Sequence, residues 1–421
     1  MKSFNDRYVG TIFDFKEINA IRKTLKLGKS LTRGKNIEIF ENDFRKYFGA
    51  KYSVAVSSCS AALEITSKIL ELKKGDEVIC QANSFWTCIN HLLKIGVKIV
   101  CADLEKNTLN IDFDHVKKLI NNKTKAIYIL HHGGIPADLD KIRSHLKKNK
   151  IFLVEDCAHA LGSEYKNKKI GSNSDLACFS FSTLKNISTL GEGGMILTNN
   201  LNFYKKAKLL RDGQVIAKKI KIKNLIDKKF ISSDVDFMPI GNSLQESFSK
   251  INNIGSTFRM SDVQAAVGSV QLKKLKLLNN KRKVINNIYE KALAKNENIL
   301  VIKPNFKNYK NSYHLFNFFI LTKDKYLRNK IIQTINKKFN IHAKIRFSPI
   351  NWYPAMRKFG CKIGGCSKCL KLINCENSWL FTHLSLPISP RITIYDANFL
   401  VKKVSEIISY YFNRQKNLLE T

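Results

Sequence analysis

Residues 152–163 read FLVEDCAHALGS and residues 176–194 read LACFSFSTLKNISTLGEGG; these two runs decide the fold. Each opens as a short apolar segment bounded by polar residues, the pattern of a strand buried on both faces. The first segment ends in Asp156, with His159 three residues later, and the second carries Lys185 into a glycine-rich turn, Gly191 to Gly194. In open α/β sheets, ligands gather at the carboxyl ends of the strands. Asp156, His159 and Lys185 are therefore expected along one edge of one sheet.

The same rhythm extends in both directions. Upstream come YSVAV (52–56), a Ser/Cys-rich turn at Ser57–Ser60 and the helix-like AALEITSKILEL, then EVICQA, KIVCADL and KAIYILHH, each leading into a helical stretch. Downstream, GGMILTN (193–199) leads into a helix near Leu201–Leu210. Such alternation predicts an α/β fold: a mixed, mostly parallel sheet with helices on both faces. Helical spacing at 13–25 and 36–48, broken at Gly49, places two helices ahead of the first strand. Residues 214–254 break the rhythm with a lysine-rich run and scattered serines, and read as a long excursion. Ser261 and Asp262 cap a helix over VQAAVGSVQLKKL, and a further long helix is expected at 275–293. Beyond about residue 300 the pattern becomes that of a smaller C-terminal α+β domain, which sets the expected division at 1–270 and 271–421. The chain has no repeats, no GxGxxG after a first strand and no GxxxxGK[ST], so dinucleotide-binding and P-loop readings lack their main support.

Composition narrows the class. The 421 residues are 44% hydrophobic with a net charge of +38, enough for one large domain and a smaller one. The basic residues are spread along the whole chain, mostly as lysine, amid Ile- and Asn-rich stretches such as INNKTKAI and IIQTINKK. That is compositional drift and not a basic stripe for nucleic acid. No apolar run approaches the roughly 20 residues that cross a bilayer, and the N-terminus lacks a signal-peptide pattern. A cytoplasmic protein without a membrane span is the expectation. Ten cysteines in a chain of this length are not a disulfide scaffold, and Cys80, Cys88, Cys101, Cys157 and Cys178 read as buried thiols. Cys361, Cys366, Cys369 and Cys375, spaced C-x4-C-x2-C-x5-C, could hold zinc or an iron–sulfur cluster. That spacing matches no defined site, so reduced thiols without metal are expected.

An acid, an imidazole and a lysine converging at one sheet edge suit a bound pyridinium cofactor: the carboxylate keeps the ring nitrogen protonated and the lysine forms the Schiff base. Spacing alone favours the plainer alternative in so lysine-rich a chain, a solvated lysine beside a glycine turn. The run SFSTLKNISTLGEGG, with EDCAHALGS upstream, resembles the signature of the sugar aminotransferase family acting on nucleotide-linked keto-sugars, of the DegT/DnrJ/EryC/StrS type. The likeness spans nearly the whole chain, through FENDFRKYFGAKYSVAVSS, LKKGDEVI, GGIPADLDKI, LLRDG, FRMSDVQAAVGSVQL, SYHLF and HLSLPISP.

The resemblance implies a fold-type I transferase dependent on pyridoxal 5'-phosphate (PLP), with Lys185 as the Schiff-base lysine and proton shuttle. It implies Asp156 on the pyridine nitrogen, His159 near the phenolic oxygen and Phe85 stacked on the ring, in preference to Trp86. Ser58, Cys59 and Ser60 would hold the phosphate at a helix N-terminus, with Ser180 adding a hydroxyl. Arg259 lies where the family approaches the neighbouring subunit's active site, so a homodimer with a shared site is implied. Thr257 stands where the family has Asn, and Ser58 where it has Gly; the first removes the amide that would reach the partner's phosphate. The implied substrates are a nucleotide-linked keto-sugar and an amino donor, glutamate, with Arg33, Arg211, Arg259 and Arg346 as candidate anion contacts. His314 reads as structural, at the domain junction, and Glu192 is given no chemical role.

Two chemistries share this scaffold. Transamination needs the lysine; 3-dehydration is carried by relatives with histidine in its place. The opening RYVGTIFDFKEIN, the SSCSA turn, LLRDG and the 214–254 excursion are similar to the dehydratases. Lys185, followed by Asn186, favours amino transfer. A catalytically silent regulatory homologue is the remaining alternative, and Lys185 with Asp156 argues against it.

Overall fold

The computed structural model describes residues 10–27, 30–213, 256–358, 362–363 and 372–420. The excursion at 214–254 and Cys361, Cys366 and Cys369 lie outside the described residues.

Two helices, α1 (Phe15–Lys26) and α2 (Lys35–Phe48), precede the first strand. Then β1 (Tyr52–Val56), α3 (Cys59–Ile69), β2 (Glu77–Gln81), α4 (Thr87–Lys94), β3 (Lys98–Ala102), α5 (Phe113–Leu119), β4 (Thr124–Leu130), α6 (Asp140–Asn149) and β5 (Phe152–Asp156) alternate. Two short strands, β6 (Glu164–Tyr165) and β7 (Lys168–Lys169), are followed by β8 (Leu176–Ser180), β9 (Gly194–Thr198) and α7 (Leu201–Arg211). The C-terminal part holds α8 (Asp262–Leu293), β10 (Ile299–Val301), β11 (Tyr309–Lys310), β12 (Phe316–Ile320), α9 (Lys325–Phe339), β13 (Lys362–Ile363), β14 (His383–Leu386) and α10 (Ile394–Glu420).

The large sheet has the order β1-β9-β8-β5-β4-β2-β3-β13. Every pairing is parallel except the two made by β9, with β1 and with β8. The mixed, mostly parallel sheet expected from the sequence is therefore present. Parallel neighbours need crossover helices, and those helices bury both faces of the sheet. Alternate residues of each strand serve opposite layers. Ala55, Ile79, Ile127, Phe179 and Met195 pack with Phe40, Phe44 and Phe48 of α2 and Leu272 and Leu275 of α8. Val54, Val78, Ile99, Tyr128 and Ile196 face Leu63 and Ile65 of α3, Leu92 of α4 and Leu210 of α7.

The two helical runs anticipated around 262 and 275–293 are one continuous helix of 32 residues. Its start is as expected: Ser261 accepts the Gln264 N–H while the Gln264 side chain accepts the Ser261 N–H. Nothing breaks it, because Gly268, the one residue that weakens the pattern, lies under the Phe40 ring, which a Cβ would approach to 2.7 Å. The helix runs past residue 270, placing Ala265, Leu272 and Leu275 in one core and Ile285, Tyr289 and Leu293 in another. The second core is closed by the three-stranded sheet β10-β12-β14 and by α9 and α10, the smaller C-terminal α+β part. The buried Arg282 guanidinium ties the parts together by donating to the carbonyls of Ile388, Tyr313 and Gly10. No helix among the described residues is long and apolar enough to cross a membrane.

Phe44 packs against Phe48 at 4.5 Å, Phe179 at 5.0 Å and Phe181 at 5.5 Å between ring centroids. It thus connects α2 to the end of β8 that leads to Lys185. Phe44→Ala should lower unfolding free energy by about 3–5 kcal/mol, read as a fall in denaturation midpoint; a change below about 1 kcal/mol would contradict this packing role.

Candidate active site

Because the strands run in parallel, the loops after β1, β2, β4, β5 and β8 all emerge at one edge, and β9, running the other way, begins there. Those loops enclose a cavity of about 530 Å³ whose lining includes Ser58, Phe85, Asp156, His159, Ser180 and Lys185. Cys59 and Ser60 also line it, so every cofactor-contact residue expected from the sequence converges on one space.

One end of the cavity is built for an anion. Ser58 is the N-cap of α3, its Oγ accepting the Ala61 N–H at 3.1 Å, so the helix begins at the cavity wall with Cys59 and Ser60 in its first turn. The unpaired N–H groups and dipole of a helix N-terminus attract negative charge. Gly194 makes the arrangement possible: a Cβ there would lie 2.5 Å from the Ser58 carbonyl carbon and 2.8 Å from the Cys59 nitrogen. Only glycine lets β9 start so close to the helix. The hydroxyls of Ser180 and Ser182 sit on the same lining.

Asp156, the last residue of β5, is buried. Its Oδ1 accepts the Ala158 N–H at 3.0 Å, and its Oδ2 accepts the Cys88 thiol at 2.9 Å. The Cys59 thiol lies 3.9 Å from Oδ1. Reading Cys88 as a plain core thiol therefore needs correction: it lines the cavity and is bonded to the carboxylate. Lys185 sits in the turn after β8, where the Lys185 N–H donates to the Ser182 carbonyl at 2.9 Å. Burial pushes its amine below the ordinary lysine value, against the pull of the Asp156 carboxylate. An amine so placed is neutral, and hence nucleophilic, for a larger fraction of the time than a solvated one.

His159 accepts the Gly133 N–H on Nδ1 at 3.3 Å, which leaves the proton on Nε2. Burial, then the charge of Lys185, hold this imidazole well below its ordinary value, so it stays neutral. Its ring stacks on His314 at 4.2 Å and on Phe347 at 5.9 Å between centroids. His314 is in turn held by Asn186: the amide nitrogen of Asn186 donates to Asn279 and to the Ser312 carbonyl, which leaves its oxygen to accept from His314 Nδ1 at 3.0 Å. His314 is thus at the junction, as read from the sequence, and also in the cavity wall. Phe85 lines the cavity with 47% of its surface exposed, its ring 6.0 Å from Phe347.

Three arginines named from the sequence do not line this cavity. Arg211 is bound to Glu41 at 2.9 Å and to Asp212 at 3.2 Å, so its guanidinium is already used. Arg259 lies 3.6 Å from the same Asp212, and Arg33 is exposed, its N–H donating to Ser30. Arg346 does line the cavity, with Phe347 and Glu192. Glu192, whose carboxyl is raised by burial, is a wall residue that the sequence did not single out for chemistry.

Among the described residues, His131, Glu155 and Cys157 bring metal-type donor atoms within 4.8 Å of one another. Hydrogen bonds account for the cluster without an ion: His131 Nδ1 accepts the Ala137 N–H at 3.0 Å, and its Nε2 faces Glu155 Oε2 at 3.0 Å. Cys375, the described member of the C-terminal cysteine set, is buried, and its N–H donates to Asp103 at 2.8 Å.

An anion-attracting helix end, a buried carboxylate, a neutral imidazole with its outer N–H, an aromatic ring and a buried amine now share one cavity. Comparison with known proteins points the same way. An uncharacterized protein of Methanocaldococcus jannaschii is 35% identical over 93% of this chain and 95% of its own length. The UDP-4-amino-4,6-dideoxy-N-acetyl-beta-L-altrosamine transaminase of Campylobacter jejuni is 30% identical over 94% of this chain and 95% of its own. Among solved structures, Helicobacter pylori PseC, an aminotransferase of pseudoaminic acid biosynthesis, superposes with a TM-score of 0.79 at 26% identity, covering 97% of this chain and 99% of that one. The family model for the DegT/DnrJ/EryC1/StrS aminotransferases matches residues 12–405, and the chain belongs to that family.

Proposed function

We propose that this aminotransferase uses PLP to convert the ketone of a nucleotide-linked sugar to an amine, with glutamate as donor and a homodimer as the working unit. The observation that carries the proposal is the Lys185 amine, depressed by burial and lining one cavity with Asp156. The sugar-nucleotide activity named for the Campylobacter jejuni relative supports the substrate class. Phe85 and Leu184, both in the cavity wall, are 47% and 44% exposed, which supports a second subunit covering the mouth.

The residues suit the cofactor. The first turn of α3, with Ser58 and Ser60 and the Ser180 hydroxyl, would hold the phosphate, and Asp156 would hold the ring nitrogen. His159 Nε2–H would donate to the phenolic oxygen, and Phe85 would cover one ring face. When bound, PLP supplies an electron sink and carries the amino group from donor to sugar. Lys185 would anchor the cofactor through Nζ and, when free, would hold and move a proton at the substrate carbon. A basicity lowered by burial favours both roles. Asp156 would face the ring nitrogen, and His159, held neutral by burial, would donate without adding charge.

Incubation with 4-keto and 3-keto nucleotide sugars and glutamate should exchange a ketone for an amine, detected by mass. Lys185→Ala should lose this activity by at least about a thousandfold, since anchor and proton shuttle go together. Net loss of water from the sugar would instead indicate dehydration and overturn the proposal.

The pH dependence follows from the direction of the Lys185 shift. Only the neutral amine attacks, so capture of PLP by the cofactor-free protein should quicken as pH rises, with a midpoint below the ordinary lysine value of 10.5. A midpoint at or above that value would contradict the burial of the amine.

A further inference from the structure

The closest side-chain donor to the Asp156 carboxylate among the described residues is a thiol. Cys88 sits in the first turn of α4, three residues after Phe85, and its Sγ lies 2.9 Å from Asp156 Oδ2. The opposite oxygen takes the Ala158 N–H at 3.0 Å, with the Cys59 thiol further off at 3.9 Å. Burial and the adjacent Asp156 charge push the Cys88 thiol well up, so it remains an S–H donor and is not a nucleophile.

We propose that Cys88 is a positioning residue that sets how tightly Asp156 holds the proton on the cofactor's ring nitrogen. The inference rests on the function proposed above and goes beyond it, because it assigns the tuning of that carboxylate to one thiol of this chain. The physical argument is competition for one carboxylate. A donor on Oδ2 stabilises the negative charge on Asp156 and weakens its pull on a proton shared with a bound pyridine. A thiol is a weak donor, so Cys88 withdraws less charge than a hydroxyl would in its place and more than an apolar side chain would. The carboxylate retains acceptor capacity, since each oxygen offers two lone-pair sites. The thiol and the ring nitrogen can therefore be bound together, and exchanging the thiol grades the strength of the second bond without removing it.

The test uses the full chain loaded with PLP labelled with 15N in the ring, in wild type, Cys88→Ala, Cys88→Ser and Cys59→Ala. At one pH, the ring-nitrogen resonance of Cys88→Ala should move away from the fully protonated pyridinium position, because the carboxylate that has lost its donor draws harder on the shared proton. That of Cys88→Ser should move the opposite way, and that of Cys59→Ala should move less than Cys88→Ala because its sulfur is 3.9 Å away. Cys88→Ser keeps the size and a donor, so it reports on the proton even if Cys88→Ala folds poorly. Failure of the wild type to take up PLP would overturn the function proposed above. Uptake with Cys88→Ser unshifted, or shifted in the direction expected for Cys88→Ala, would overturn the role of Cys88 alone.

Discussion

The parallel direction of the central strands is the constraint on which the rest of the molecule depends. A strand apolar on both faces must be covered on both, and helical crossovers that cover it bring each next strand back in the same direction. The carboxyl ends of β1, β2, β4, β5 and β8 therefore share one edge. Lys185 and Asp156 are 29 positions apart in sequence, yet neither needs a special device to reach the same cavity. The single reversed strand, β9, brings Gly194 to that edge, where the absent side chain lets the strand begin against the N-terminus of α3.

Burying an amine and a carboxylate in one cavity costs solvation, and the surroundings offset it unevenly. Asp156 is given donors, from the Ala158 backbone and the Cys88 thiol. Lys185 is left to lose basicity, because burial outweighs the attraction of Asp156. The imidazoles are handled in a third way. His159 and His314 are stacked, kept neutral by burial and fixed in orientation by Gly133 and Asn186. Asn186 follows Lys185 directly in the chain, so the turn that delivers the lysine also orients the ring wall beside it.

Much of this was legible in the sequence because it depends on local pattern. Apolar strands ending in Asp156 and leading to Lys185 mark the sheet edge by themselves, and Ser261 with Gln264 marks the start of α8. What could not be read depends on contacts between distant segments. Arg211 was a candidate anion site until Glu41, 170 residues away, was seen to hold its guanidinium. Cys88 read as a core thiol because its neighbours are apolar; only the fold brings Asp156, 68 residues on, against its sulfur. The sequence reads as two helices divided at about residue 275, and the continuity of α8 across that point depends on a second, distant core in which Ile285, Tyr289 and Leu293 pack.

In a chain with 72 lysines and arginines, the central claim is that one lysine is chemically singled out by its position. Borohydride reduction of the PLP-loaded protein, followed by peptide mass spectrometry, tests this most directly. The account predicts a reduced cofactor adduct on the peptide containing Lys185. An adduct on another lysine, or none above background, would contradict it.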